Sequence, residues 1–223
     1  MKSPGRAANT GSDKKEVNSM NDMKQTEELL KKHFQLLADI DNRLQERSAA
    51  REYILLAIEG GSASGKTTLG KLLEELYGCT VFHMDDFFLQ PHQRTRQRLE
   101  EPGGNVDRER FLKEVLVPLK AGKPVTYQKF DCSTFSLGEP VTINPTKLCV
   151  VEGAYSMHPE LAGYYDMSAF LDVCPDVQRK RIEKRNSPEM AERFFKEWIP
   201  MEQKYFDTFA IKEHCNRVFC VRE

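Results

Sequence analysis

The chain has 223 residues, room for one large or two small domains. Its 33 Lys+Arg against 34 Asp+Glu leave a formal charge of −1, which argues against a dedicated nucleic-acid binder. No apolar run approaches the roughly 18 residues of a membrane span. Hydrophobic residues make up 39%, below the roughly 45–50% of a typical globular chain by a count that includes Gly, so either the core is thin or a solvated segment dilutes it. No charged-then-apolar start suggests a secretory signal. The six cysteines are scattered without a C-x-x-C pair and read as reduced thiols of a cytoplasmic protein, not as a zinc site.

Residues 1–21 are rich in Lys, Ser, Gly and Asn and have almost nothing to bury. They read as a disordered tail, an expression leader or an overlong start, with Met20 and Met23 as later starts. Over 22–51 the pattern changes. Leu30, Phe34, Leu37, Ile40 and Leu44 recur at three- and four-residue steps between charges, which predicts an amphipathic helix. Its stripe is expected to pack on the domain that follows. A homo-oligomer formed through it is the alternative, for which the stripe is short.

The remaining stretch, 52–223, reads as one domain. Segments 53–59, 80–84, 148–152, 169–173 and 217–221 are short and rich in Val, Ile, Leu, Phe or Cys, and helical or irregular stretches separate them. Such alternation predicts an α/β fold, a five-stranded, mostly parallel sheet with helices on both faces. Residues 85–147 form a long insertion, with a helix expected from Asp107 to Lys120 and a small hairpin from 124–130 and 140–143.

The first strand runs into Gly60-Gly61-Ser62-Ala63-Ser64-Gly65-Lys66-Thr67-Thr68, and a helical pattern follows. This fits the Walker A spacing G-x-x-x-x-G-K-[ST] in the strand–loop–helix setting that the motif requires. Glycines let consecutive N–H groups turn inward on phosphate oxygens, and the helix N-terminus adds positive potential. Lys66 would span the outer phosphates and the Thr67 hydroxyl would ligate Mg²⁺.

Asp85, in His83-Met84-Asp85-Asp86-Phe87-Phe88, follows the second strand. Open α/β sheets bind ligands at the carboxyl ends of their strands. A carboxylate there can take the proton of an attacking hydroxyl, or it can merely cap the next turn. Glu152 closes the third strand, the arrangement that holds Mg²⁺ beside a phosphate loop, and Gly153 leaves room for a ligand. Arg181 and Arg185 lie one turn apart in a basic helical segment, set either to close over a phosphoryl group or simply to complement a helix C-terminus.

These motifs, GGSASGKTT, MDDFF, NVDRERF, VEGAY and RKRIEKR, together resemble the uridine kinase-like group of P-loop kinases. That group also includes nicotinamide riboside kinases, pantothenate kinases and phosphoribulokinases, and the likeness is greatest to short bacterial uridine kinase-like proteins. The resemblance covers about 53–221. It implies a P-loop NTPase fold with a small acceptor-binding insertion over 85–147 and a basic lid helix over 175–190. It implies ATP and Mg²⁺ as cofactors and transfer of the γ-phosphoryl to a primary hydroxyl of a small-molecule acceptor, the 5′-OH for a nucleoside such as uridine. Asp85 then matches the catalytic base, Thr67 and Glu152 the metal-holding positions, and Arg181 and Arg185 the lid arginines.

Asp107 matches the acid that holds ribose hydroxyls; its other reading is the N-cap of the helix it begins. Tyr127 and Phe130 stand at the base-stacking positions, or pack the hairpin. The stretch 127–133 lacks the His that uridine kinases carry after this Tyr, and His92 lies elsewhere in the insertion. Arg94, Arg96 and Arg98 make a solvated basic loop, or serve an acceptor that bears a phosphate or carboxylate.

Overall fold

The computed structural model describes residue 24 and residues 26–46 and 53–222; the expected tail over 1–21 lies outside them. Five strands form one sheet in the order β2-β5-β1-β6-β7, namely β1 (Ile54–Gly60), β2 (Thr80–His83), β5 (Leu148–Glu152), β6 (Met167–Val173) and β7 (Arg217–Val221). Every pairing in it is parallel. Crossovers are therefore obligatory, and both faces of the central strands are covered. All seven residues of β1 are buried, as its nearly unbroken apolar run requires.

One apolar cluster joins Leu55, Phe82, Phe111 and Tyr205 on one face, and a second joins Ile54, Leu69, Leu73 and Val150 on the other. The low hydrophobic fraction is therefore not a thin core. Among the described residues no helix is long and apolar enough to cross a membrane.

The N-terminal helical stretch covers 26–46 and ends in α1 (Phe34–Glu46); α-helical bonds from the His33 N–H to the Leu29 carbonyl and from the Leu37 N–H to the His33 carbonyl carry it through His33. Leu36 and Ile40 are fully buried in the second cluster, and Leu30, Leu37 and Leu44 pack partly against it. Phe34, placed in the stripe by its spacing, is instead 68% exposed, and Leu36 takes the buried position. The stripe had one misassigned member.

The helix α2 (Lys66–Tyr77) follows the Gly-rich loop, and Gly78 closes it in the left-handed conformation. The insertion contains the expected hairpin, β3 (Val125–Asp131) with β4 (Ser136–Ile143), antiparallel with a register shift between Gln128 and Phe130. Met84 belongs to a short 3₁₀ turn, Met84–Phe87, and not to the second strand.

The helix α3 runs over 108–120, but its middle, Leu112–Leu116, is π-helical and Pro118 follows. The same device recurs near the C-terminus. After α4 (Pro175–Arg185), the helix α5 begins at Pro188–Arg193, passes through a π-helical stretch Phe194–Trp198, and continues as Ile199–Phe209 with Pro200 near its start. Proline has no N–H to give the preceding turn, and a wider turn just before it takes up the mismatch.

Candidate active site

The parallel registers bring four strand ends to one edge. Gly60 stands opposite Leu171, and His83 stands opposite Glu152. The loop after β1 and the 3₁₀ turn after β2 therefore open onto the same cavity of about 1210 Å³. Single-ligand pockets span roughly 300–1,000 Å³, so this one has room for two small molecules.

Ala63 (φ 58°) and Gly65 (φ 106°) place the Gly-rich loop in left-handed turns. A Cβ on Gly60 would meet the Leu171 carbonyl oxygen at 2.6 Å, so only glycine lets the loop pass the neighbouring strand. Gly65 caps α2 without any side-chain hydrogen bond, so the first N–H groups of the helix have no side-chain cap. The Ser64 hydroxyl is buried and, among the described residues, has no partner. Lys66 Nζ turns back to the Gly61 carbonyl at 2.9 Å. The Thr67 hydroxyl donates to Glu152 Oε1 at 3.1 Å, and His83 Nδ1 lies 2.6 Å from the same oxygen. That contact raises the pKa of His83 above its ordinary value, with burial opposing it.

Asp85 projects from the 3₁₀ turn into the cavity, and among the described residues its carboxylate has no hydrogen-bond or ion-pair partner. Its neighbour Asp86 is engaged, by the Tyr127 hydroxyl at 3.3 Å and Lys129 at 3.0 Å. Enclosure by the cavity walls holds the Asp85 carboxyl above the usual range; Lys66 pulls it down and Glu152 pushes it up.

The basic helix reaches the loop from the other side. Arg181 donates to the Ala63 carbonyl at 3.1 Å, and Gln178 to the Ser62 carbonyl at 2.8 Å. The Arg185 guanidinium lies over the Phe194 ring, 5.3 Å from its centroid. Both arginines line the cavity.

Of the three candidate acceptor contacts, Phe130 lines the cavity, edge-to-face with Phe135. Tyr127 does not: its ring stacks on Phe87 at 5.1 Å inside the core. Asp107 is also withdrawn. One carboxylate oxygen accepts the Arg110 N–H at 3.0 Å, the cap position, and the other accepts from Gln93 at 2.8 Å. Of the basic run, Arg94 lines the cavity. Arg98 is a scaffold residue that clamps the Glu109 carboxylate with two 2.7 Å bonds and two backbone carbonyls beside it, and Arg96 pairs with Glu100 on the surface.

Two carboxylates escaped the sequence reading. Glu202, on α5, accepts from both the Ser62 N–H at 2.9 Å and the Ser62 hydroxyl at 2.6 Å. Burial raises its pKa against the pull of Lys66 and Ser62. Nothing in the local sequence marks it, since its partner lies 140 residues away. Glu59, at the end of β1, is completely enclosed, and a charged residue inside an otherwise apolar strand was a signal.

A sequence model of the Phosphoribulokinase / Uridine kinase family matches residues 55–193. The phosphoribulokinase of Synechocystis sp. is 26% identical over 148 residues, 63% of this chain and 43% of that protein, so the chain spans less than half of its length. Uridine-cytidine kinase 2-B of Danio rerio is 24% identical over 202 residues, covering 79% of this chain and 77% of its own. A solved structure described as a possible uridine kinase from Bacillus stearothermophilus shares the fold, with a TM-score of 0.58, 24% identity, and coverage of 83% of this chain and 99% of that one. With the family match spanning well over half of the sequence, from β1 through the basic helix, the chain belongs to the Phosphoribulokinase / Uridine kinase family.

Proposed function

We propose that this protein is a small-molecule kinase that transfers the γ-phosphoryl of ATP to a primary hydroxyl, the 5′-OH of a nucleoside such as uridine being the leading acceptor. The observation that carries the reading is the unpartnered Asp85 carboxylate facing the same cavity as Lys66 and the Thr67–Glu152 pair. The phosphate cradle fits a triphosphate. It has a helix N-terminus without a side-chain cap, a buried Ser64 hydroxyl without a partner among the described residues, and a lysine folded back onto its own loop.

Thr67 and Glu152 fit Mg²⁺, because one hydroxyl and one carboxylate suit a hard cation that takes its other oxygens from phosphates and water. When bound, Mg²⁺ supplies charge neutralisation on the phosphate oxygens. Asp85 orients the acceptor hydroxyl and takes its proton as the new P–O bond forms. Its raised pKa suits a base that must receive a proton and later release it. Lys66, with Arg181 and Arg185 from the basic helix, places cationic charge around the transferring group. Glu202 and Gln178 hold Ser62 from two helices and so fix the loop that grips the phosphates.

A second acceptor class is favoured by one observation. Arg94 lines the cavity, whereas Asp107 and Tyr127 are engaged behind it, which suits an acceptor that carries a phosphate or carboxylate. A coupled assay of ADP release over nucleosides, vitamins such as nicotinamide riboside and pantothenate-like acids, and sugar phosphates separates the two. Asp85→Asn is expected to lower acceptor-dependent turnover roughly 10²–10⁴-fold while ATP affinity stays close to that of the wild type. Wild-type turnover in that variant would overturn the assignment. ATP binding with no acceptor-stimulated ADP release from any compound would instead indicate a non-catalytic nucleotide-binding regulator.

A further inference from the structure

We propose that the N-terminal segment 26–33, which lies outside the family match, closes the far end of the cavity, and that His33 binds the base of the donor nucleoside triphosphate there. The inference rests on the phosphoryl-transfer reading. In-line transfer puts the attacking hydroxyl and the leaving phosphate on opposite sides of the moving phosphoryl group. With Asp85 and Phe130 at the acceptor end, the rest of the donor must extend past the Gly-rich loop, away from them. The same cavity is lined by Leu29, His33, Leu171 and Val221.

These residues come together for a definite reason. Arg217, at the start of β7, holds Asp39 of α1 through two bonds of 2.7 and 3.1 Å, and His33 meets Phe219 edge-to-face at 4.8 Å. The helical stretch therefore runs antiparallel to β7, and its earlier residues reach the carboxyl edge of the sheet. Leu36 and Ile40, fully buried, fix it there.

The site has the chemistry of a base pocket. Leu29, Leu171 and Val221 are apolar walls suited to a flat ring. His33 is 3% exposed, yet among the described residues its Nδ1 has no hydrogen-bond partner. Burial, with Lys32 nearby, pushes its pKa down to about 4, so the imidazole is neutral at pH 7 and one ring nitrogen can accept while the other donates. A buried polar atom left unpaired is costly, and a base edge carrying an amino group or ring nitrogen would satisfy it.

The test compares two ligands, ATP and tripolyphosphate, which has phosphates and no base. Both are titrated calorimetrically into the wild type and into His33→Phe, which keeps a ring against Phe219 and removes the nitrogens. The expected result is ATP binding weakened roughly three- to tenfold with tripolyphosphate affinity unchanged. Leu29→Ala, at the partly buried wall, is expected to show the same selective loss and serves if His33→Phe does not fold. Equal ATP affinity in the variants, or parallel losses for both ligands, would overturn the inference and leave the phosphoryl-transfer reading standing. A wild type that binds neither ligand would defeat that reading itself, and this inference with it.

Discussion

Glu59 receives five donors within the protein: the N–H groups of Gly60, Tyr155 and Met157 and the hydroxyls of Ser156 and Tyr205. Complete burial raises its pKa to about 7, while the Met157 and Gly60 N–H groups, Lys66 and the Tyr205 hydroxyl pull it down. A carboxyl whose folded pKa lies above its unfolded value, about 4.3, adds stability at low pH and loses it as pH rises through the folded value. Glu59→Gln cannot titrate, and its amide NH₂ faces donors, so it is expected to cost about 1–3 kcal/mol at acid pH. Because only the wild type weakens toward neutrality, the gap should narrow between about pH 4.5 and 7; urea unfolding at several pH values reads it. A constant gap would show that Glu59 does not titrate in that window. Asp85 is raised in the same direction, so the acid limb of kcat should lie above the ordinary carboxylate range, near 4, and vanish in Asp85→Asn.

At the scale of elements, α1 is built into the sheet's second core and is not an appended arm. Leu36→Ala and Ile40→Ala, both at fully buried sites, are expected to cost about 2–5 kcal/mol each, whereas Phe34→Ala at a 68% exposed site should stay within about 0.5 kcal/mol. Denaturant midpoints measure the contrast, and equal effects would contradict this packing. The Phe34 error shows the limit of periodicity. Phe34 and Leu37 fit one stripe, but Leu29, His33, Leu36 and Ile40 recur at the same three- and four-residue steps on a neighbouring stripe, and that one faces inward. The strands were legible because a fully buried parallel strand must be an apolar run, and the Gly-rich loop was legible because its chemistry is local in sequence. Asp107 and Tyr127 carried two readings each for the opposite reason. Whether a carboxylate caps a helix or faces a ligand depends on Gln93, and whether a ring stacks on a ligand or on Phe87 depends on a turn 40 residues earlier in the chain.

For the whole molecule, the near-zero net charge is an average over opposed regions, with Asp85, Glu152 and Glu202 gathered at one cavity beside Lys66, Arg181 and Arg185. Residues from the N-terminal segment to Val221 line that cavity, so its occupation should stabilise the fold as a unit. ATP with Mg²⁺ at about 100 times its Kd is expected to add about 2.7 kcal/mol, read as a rise in Tm. No rise at saturating nucleotide would argue against the site. Such long-range assembly was the least legible part, because nothing near Glu202 in the sequence names Ser62 as its partner.

The π-helical stretch Phe194–Trp198 lies just before Glu202, and a π turn holds one residue more than an α turn. Deleting one residue within 194–198 would let a regular α turn replace the π turn with the phase beyond it kept, whereas inserting one residue into α5 after it would turn everything beyond the insertion by about 100°. Glu202 would then swing off Ser62, and Tyr205 off Glu59, without any change to either carboxylate. The grip of the C-terminal helix on the phosphate loop therefore hangs on helical phase as much as on residue identity, and a one-residue insertion there should be more damaging than a one-residue deletion.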